Sequence, residues 1–309
     1  MSVDLEVLQS PDKSLTLKVA PGIGGSIAAF YATTAQGRVD LMRAYDSAAP
    51  AEPLYMGSFP LTPFSNRIGH GRMKFEGEEL EVKTPFRSGD HPNHGDGFQL
   101  PWRIAAKTPH SLELALDVKG EPYSYSAKQV FTLTDQGLSV DIAITNKAGR
   151  ALPYGTGHHP YFPRNDKTTL KASLQRVWRS ENMLPVALEK LSPKWNFGAG
   201  VALSGENLAP AAAGDDGSAY IDHCFQDWNQ KAEIAWPDKK MALDMTADAI
   251  FKNFVIFVPA NQDFFCAEPV TNITDGFNLM ERGVAETGTI VLKSGETLSG
   301  NVAFKPRAL

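Results

Sequence analysis

Apolar and polar positions alternate with a period of two through much of this chain. Leu15, Leu17 and Val19 alternate with Ser14, Thr16 and Lys18. Leu112, Leu114, Leu116 and Val118 alternate with Glu113, Ala115 and Asp117, and Leu138, Val140, Ile142 and Ile144 with Ser139, Asp141 and Thr145. Each run puts its apolar side chains on one face of an extended segment, which predicts half-buried strands. Short turn sequences separate such runs. Asp135-Gln136-Gly137 lies between two of them, Pro237–Lys240 parts Ile234 and Trp236 from Leu243 and Met245, and Ser294-Gly295-Glu296 parts Thr289–Lys293 from Leu298–Phe304. These predict hairpins. Asn253–Val258 is almost wholly apolar and predicts a strand covered on both faces. No long stretch has helical periodicity, and 26 glycines and 21 prolines supply the many turns such a pattern needs. The stretches 46–53 and 204–217, rich in Ala, Gly, Pro and acids, read as surface loops, because strand patterning resumes after each. The expected fold is all-β, a large antiparallel β-sandwich, with residues 1–309 forming a single domain.

Charge and composition narrow the function. The net charge of −5 provides no basic excess to neutralise phosphates, so no nucleic-acid partner is expected. No run approaches the ~20 apolar residues of a membrane helix. The first residues carry Asp4 and Glu6 where a secretion signal needs bases, which points to a cytoplasmic protein. Cys224 and Cys266 are the only cysteines, too few for a disulfide framework or a four-cysteine zinc site.

Polar clusters interrupt the strand pattern. They are Phe64-Ser65-Asn66-Arg67-Ile68-Gly69-His70-Gly71-Arg72, leading into Phe75-Glu76-Gly77; His91-Pro92-Asn93-His94-Gly95-Asp96-Gly97-Phe98; Gly155-Thr156-Gly157-His158-His159-Pro160-Tyr161-Phe162; and Cys266-Ala267-Glu268-Pro269-Val270-Thr271-Asn272. A smaller one, Tyr220-Ile221-Asp222-His223-Cys224-Phe225, precedes Trp228. Loops carried on a rigid sheet are where binding and catalytic groups concentrate.

In their order and spacing these clusters resemble the signature segments of the aldose 1-epimerase (galactose mutarotase) family. Asn66-Arg67-Ile68, His94-Gly95, His159-Pro160-Tyr161-Phe162 and Glu268-Pro269 with Thr271-Asn272 carry the resemblance. It implies the galactose mutarotase-like supersandwich fold and interconversion of the α and β anomers of a free aldose, without a cofactor. It implies Glu268 as general base on the anomeric hydroxyl and His159 as general acid on the ring oxygen. His94 and Arg67 would bind near the reacting centre, and Asp222 the other hydroxyls. A monomer or weak homodimer with a small-molecule sugar as its partner is expected.

The chemistry is self-consistent. Opening a cyclic hemiacetal needs O1 deprotonated while the ring oxygen gains a proton, and each positioned group contributes ~10²–10⁴ in rate. Ordinary carboxyl and imidazole values predict a bell-shaped pH dependence with Glu268 ionised and His159 protonated. Neighbours in an extended segment point to opposite faces, so His159 and not His158 should face the sugar. Phe98 and Trp228 are the candidate rings for its apolar face. His70 and His91 read as loop surface. His91, His94 and Asp96 are suitable metal ligands, but their spacing matches no strong metal motif, and no metal is expected. Because residues two apart in a strand share a face, Cys224 should lie with Asp222, and Cys266 with Glu268, near the pocket. The alternatives are a hexose 6-phosphate mutarotase, a non-catalytic carbohydrate-binding protein and a metal-dependent isomerase or dioxygenase. A phosphate would want an Arg or Lys cluster, and none follows His94-Gly95.

Overall fold

A computed structural model describes residues 3–84, 86–208 and 219–309. Two large antiparallel sheets of eleven and nine strands dominate it. The runs read from periodicity lie in strands Leu15–Ala20, Ser111–Val118 and Gly137–Asn146. The larger sheet contains, in spatial order, strands Ser58–Leu61, Gly157–Pro163, Phe264–Val270, Asn253–Pro259, Ala219–Gln226 and Arg176–Glu181. These six carry most of the chemistry. In the smaller sheet, Tyr125–Thr134 and Gly137–Asn146 form the predicted hairpin. Lys231–Trp236 and Met241–Ala247 form the second.

The third expected hairpin does not form. Ile290–Leu292 pairs with Leu152–Tyr154, while Thr297–Ala308 enters the nine-stranded sheet between Gly137–Asn146 and Met241–Ala247. The turn residues reverse the chain as predicted, but each arm finds a more extensive partner elsewhere. Of the stretch 204–217, Gly205–Leu208 is a single helical turn and 209–217 lies outside the described residues.

The apolar faces of the two sheets meet in one extensive core. Phe254, Ile256, Phe265 and Ala267 from the larger sheet join Phe131, Val140, Met245 and Phe304 from the smaller. Alternation then sends the intervening residues to the other face of the larger sheet. There Phe59, Tyr161, Trp178, Cys224, Val255 and Cys266 form a separate cluster. Asn253–Pro259 is thus covered on both sides, as its apolar run predicts. An apolar layer on each face of this sheet makes it a rigid floor, and the candidate site stands on the face away from the main core.

Candidate active site

Strand register lines up one row of side chains on that floor. His159 pairs with Phe59. The pairs Gly157–Val270 and Tyr161–Cys266 bring His159 opposite Glu268. Glu268 pairs with Val255, and Val255 with Cys224. The next row, two residues along each strand, holds Asp222, Phe257, Cys266 and Tyr161. Five sequence-predicted groups, His159, Glu268, Asp222, Cys224 and Cys266, therefore share one face because their strands are adjacent, although up to 109 positions separate them in the chain.

His159 Nε2 lies 3.4 Å from Glu268 Oε1, and both side chains are almost fully buried. The imidazole is held between two aromatic faces, Phe59 at 4.5 Å and Tyr161 at 4.8 Å between centroids. Beyond Tyr161, the Arg43 guanidinium lies 3.8 Å from the ring centre. Arg43 donates to the Leu54 and Met56 carbonyls, so its place is fixed. Sequence reasoning missed Phe59 and Arg43, which belong to none of the polar clusters and gain their role only when the strands pair.

His94 meets His159 edge to face at 5.0 Å. The Asn66 N–H donates to His94 Nδ1 at 3.2 Å, and the His94 N–H donates to the Asn66 carbonyl at 3.0 Å. An accepting Nδ1 in a neutral imidazole leaves the proton on Nε2, so His94 can offer a donor to a bound oxygen. Next to it Gly95 has φ +72°, and a Cβ there would stand 2.2 Å from the Thr62 carbonyl oxygen. Only glycine fits this turn. Arg67 reaches across to Asp222, Nη2 to Oδ2 at 3.0 Å.

Asn272 and Thr271 hold these loops together. Asn272 accepts from the Ser65 N–H at 3.0 Å and donates to the Ser65 carbonyl at 2.9 Å, and Thr271 Oγ1 accepts from the Thr156 N–H at 2.8 Å. A Cβ on Gly155 would fall 1.8 Å from Asn272 Oδ1. Asp275 accepts from the Gly69 N–H at 2.9 Å and gives its own N–H to the Arg67 carbonyl at 2.8 Å. Three of the signature segments are thus one hydrogen-bonded unit.

Both candidate stacking rings are placed differently from expectation. Phe98 is completely buried, stacked on Phe59 at 4.7 Å with Phe86 against its edge, and has no face left for a sugar. Trp228 lies on the inter-sheet side, stacked on Phe254 at 4.5 Å, with its indole N–H donated to the Lys231 carbonyl at 2.8 Å. The strand ends at Gln226 and a bend follows, so Trp228 does not continue its alternation. Trp178, not singled out in the sequence, lies on the same face of the sheet as His159 and Glu268. His91 is buried and not loop surface: its Nδ1 accepts the His70 N–H at 3.0 Å. With Asp96 accepting from Tyr125 at 2.6 Å, the residues His91, His94 and Asp96 are engaged separately. Among the described residues the trio that does converge is His159, Cys266 and Glu268, with one ligand atom of each within 4.8 Å of the others. Both cysteines lie on the face of the sheet that carries Asp222 and Glu268, as expected from the two-residue spacing.

Burial sets the protonation of the site. Glu268 is pushed well above the usual carboxyl range by desolvation and by Asp222, with Arg67 opposing. His159 is held down at about 3, by desolvation first and then by the Arg43 charge. His94 is likewise driven well down, by burial and by His159 and Arg67. His158, the chain neighbour of His159, is buried on the opposite side of their strand and lowered to about 4 by burial alone. The unfolded chain, titrating near 6.5, takes up a proton there that the folded chain refuses until about pH 4. Stability is therefore complete above about 6.5 and falls below it, by about 1.4 kcal/mol per pH unit. Relative to wild type, His158→Asn should gain about 2 kcal/mol between pH 7 and pH 5 in denaturant titrations. Parallel stability curves for the two proteins would show that this imidazole titrates normally.

The fold and the site define a galactose mutarotase-like β-sandwich with a buried carboxyl–imidazole pair on its larger sheet. The aldose 1-epimerase family model matches residues 8–305, and the chain belongs to that family. The uncharacterized protein YphB of Escherichia coli (strain K12) is 28% identical over 256 residues, 80% of this chain and 82% of YphB. A solved structure of a candidate aldose 1-epimerase from Escherichia coli K12 superposes with a TM-score of 0.86 at 27% identity, covering 99% of each chain. A galactose mutarotase-like protein from Clostridium acetobutylicum superposes with a TM-score of 0.80 at 18% identity, again over 99% of each chain. Among the described residues no helix is long and apolar enough to cross a membrane.

Proposed function

We propose that this protein is an aldose 1-epimerase that interconverts the anomers of a free, unphosphorylated sugar. The observation that carries the reading is the buried His159–Glu268 contact at 3.4 Å, a potential acid and a potential base side by side on one face of the larger sheet. One member takes the proton from O1 as the C1–O5 bond breaks and the other protonates O5. The open-chain aldehyde turns about C1–C2, and the reverse transfers close the ring on its other face. Bonds and protons balance within the pair, and each turnover returns it to its starting state.

In this reading Glu268 is the base and His159 the acid, as the resemblance of their segments to the family's implies. Burial favours the proton on Glu268, so productive binding must shift it towards His159. Sugar hydroxyls donating to the carboxylate act in that direction. His94 supplies a fixed donor, and the Arg67–Asp222 pair supplies donors and acceptors for the remaining hydroxyls. Because Asp222 already offsets Arg67, that arginine provides little net charge for a phosphate, which favours a neutral sugar.

Polarimetry of freshly dissolved α-glucose and α-galactose, followed by pentoses and uronic acids, tests the reading. Faster approach to anomeric equilibrium with at least one of them is expected. A spontaneous rate across the whole panel would favour a non-catalytic sugar-binding protein.

A further inference from the structure

Two thiols on the pocket face, Cys224 and Cys266, have no task in the proposed chemistry. Their neighbours differ. Cys224 lies beside Val255 and Trp178. Cys266 Sγ lies within 4.8 Å of a His159 ring nitrogen and a Glu268 carboxylate oxygen. All three residues are buried on two neighbouring strands of the same rigid sheet. A nitrogen, a sulfur and an oxygen donor are the three ligand classes of protein zinc sites. The His159 Nε2 to Glu268 Oε1 separation of 3.4 Å is close to the edge of a tetrahedron built on Zn–N and Zn–O bonds of ~2.0–2.1 Å. The Cys266 sulfur, within 4.8 Å of both, is the atom that would move inward to complete one face of that tetrahedron. A thiolate and a carboxylate together cancel the charge of a divalent ion, which removes the main obstacle to placing it in a buried site.

We propose that His159, Cys266 and Glu268 form an inhibitory binding site for a thiophilic divalent cation of the zinc or cadmium class. Three protein ligands leave a fourth position towards the pocket, which water or a sugar hydroxyl can fill. A cation held there occupies both members of the acid–base pair, so it suppresses proton transfer while bound and releases it on chelation. The inhibitory role rests on the epimerase reading, whereas the metal site does not.

The whole protein is titrated with Co²⁺ alone, whose thiolate charge-transfer absorption reports sulfur coordination without any assay of activity. Wild type and Cys224→Ser should both show the band, saturating at one equivalent. Cys266→Ser and Cys266→Ala should lose it and bind at least about tenfold more weakly. In parallel, Zn²⁺ should reduce anomer interconversion by wild type at least about tenfold, reversibly with a chelator, while both Cys266 variants keep their basal rate and resist the ion. Absence of the band in folded wild type, or its persistence in the Cys266 variants, overturns the site. A band with undiminished turnover overturns the inhibitory role alone. If no sugar is converted even without metal, the epimerase reading fails while the cobalt titration still decides the site.

Discussion

Glu268→Gln should lower the rate of anomer interconversion by about 10²–10⁴-fold, with little change in KM. Gln keeps the size and one carbonyl acceptor but neither takes nor supplies the proton that ring opening moves. The same substitution should make the protein more stable. The folded value of Glu268 lies well above the usual carboxyl range, chiefly through desolvation. For a group raised on folding, the stability it contributes is complete below its unfolded value near 4.3 and is lost as pH rises towards the folded value. Wild type therefore bears a growing penalty across that window, up to about 1.4 kcal/mol per pH unit, and the amide bears none. Denaturant curves at pH 5 and pH 8 should show the stability advantage of Glu268→Gln widening with pH. Loss of activity together with loss of stability would mean that the carboxyl is structural and that the rate effect is indirect.

That stability should rise as activity falls follows from how the site is built. The row His159–Glu268–Val255–Cys224 crosses four adjacent strands of a sheet whose other face is the main core. Desolvation tunes the pair, and the two apolar layers supply it. An active site that must bury a carboxyl stores a penalty that a neutral side chain would release.

The period of two made the all-β class and most of the long strands legible, because one-sided burial forces alternation. The same rule separated His158 from His159 and placed both thiols on the pocket face. It failed wherever pairing between distant segments decides the outcome. The arms around Ser294-Gly295-Glu296 read as a hairpin, yet each pairs with another strand. Trp228 stands just past the end of a strand, where a bend cancels the parity that would have aimed it at the pocket. Phe98 sits in a signature segment but supports Phe59 from behind. Arg43 and Phe59 were invisible because their effect on His159 exists only across strands. Asn272 and Asp275 were visible as polar residues near Glu268, but their task of tying loops together shows only in the hydrogen bonds they make.

Replacing His159 with Asn should cost a rate factor similar to that of Glu268→Gln, about 10²–10⁴, and the double variant should be hardly slower than either single one. The pair works as a unit: once either member is lost, the other has no partner to exchange the proton with. The pH profile makes this specific. Ordinary side-chain values would demand an ionised Glu268 and a protonated His159 between about 4.3 and 6.5. Burial moves the two groups in opposite directions, His159 down to about 3 and Glu268 up. The singly protonated pair, whichever atom holds the proton, then persists from about pH 3 to the raised carboxyl value. The bell is retained but broadened, and its limbs belong to the pair and not to either residue. Wild-type kcat/KM measured from pH 4 to pH 9 should therefore lack an alkaline limb near 6.5. In His159→Asn the residual rate should show no limb from this pair on the acid side. An inflection near 6.5 in wild type that disappears in His159→Asn would instead show an imidazole titrating as if solvated, and the clamp formed by Phe59, Tyr161 and Arg43 would then not govern its protonation.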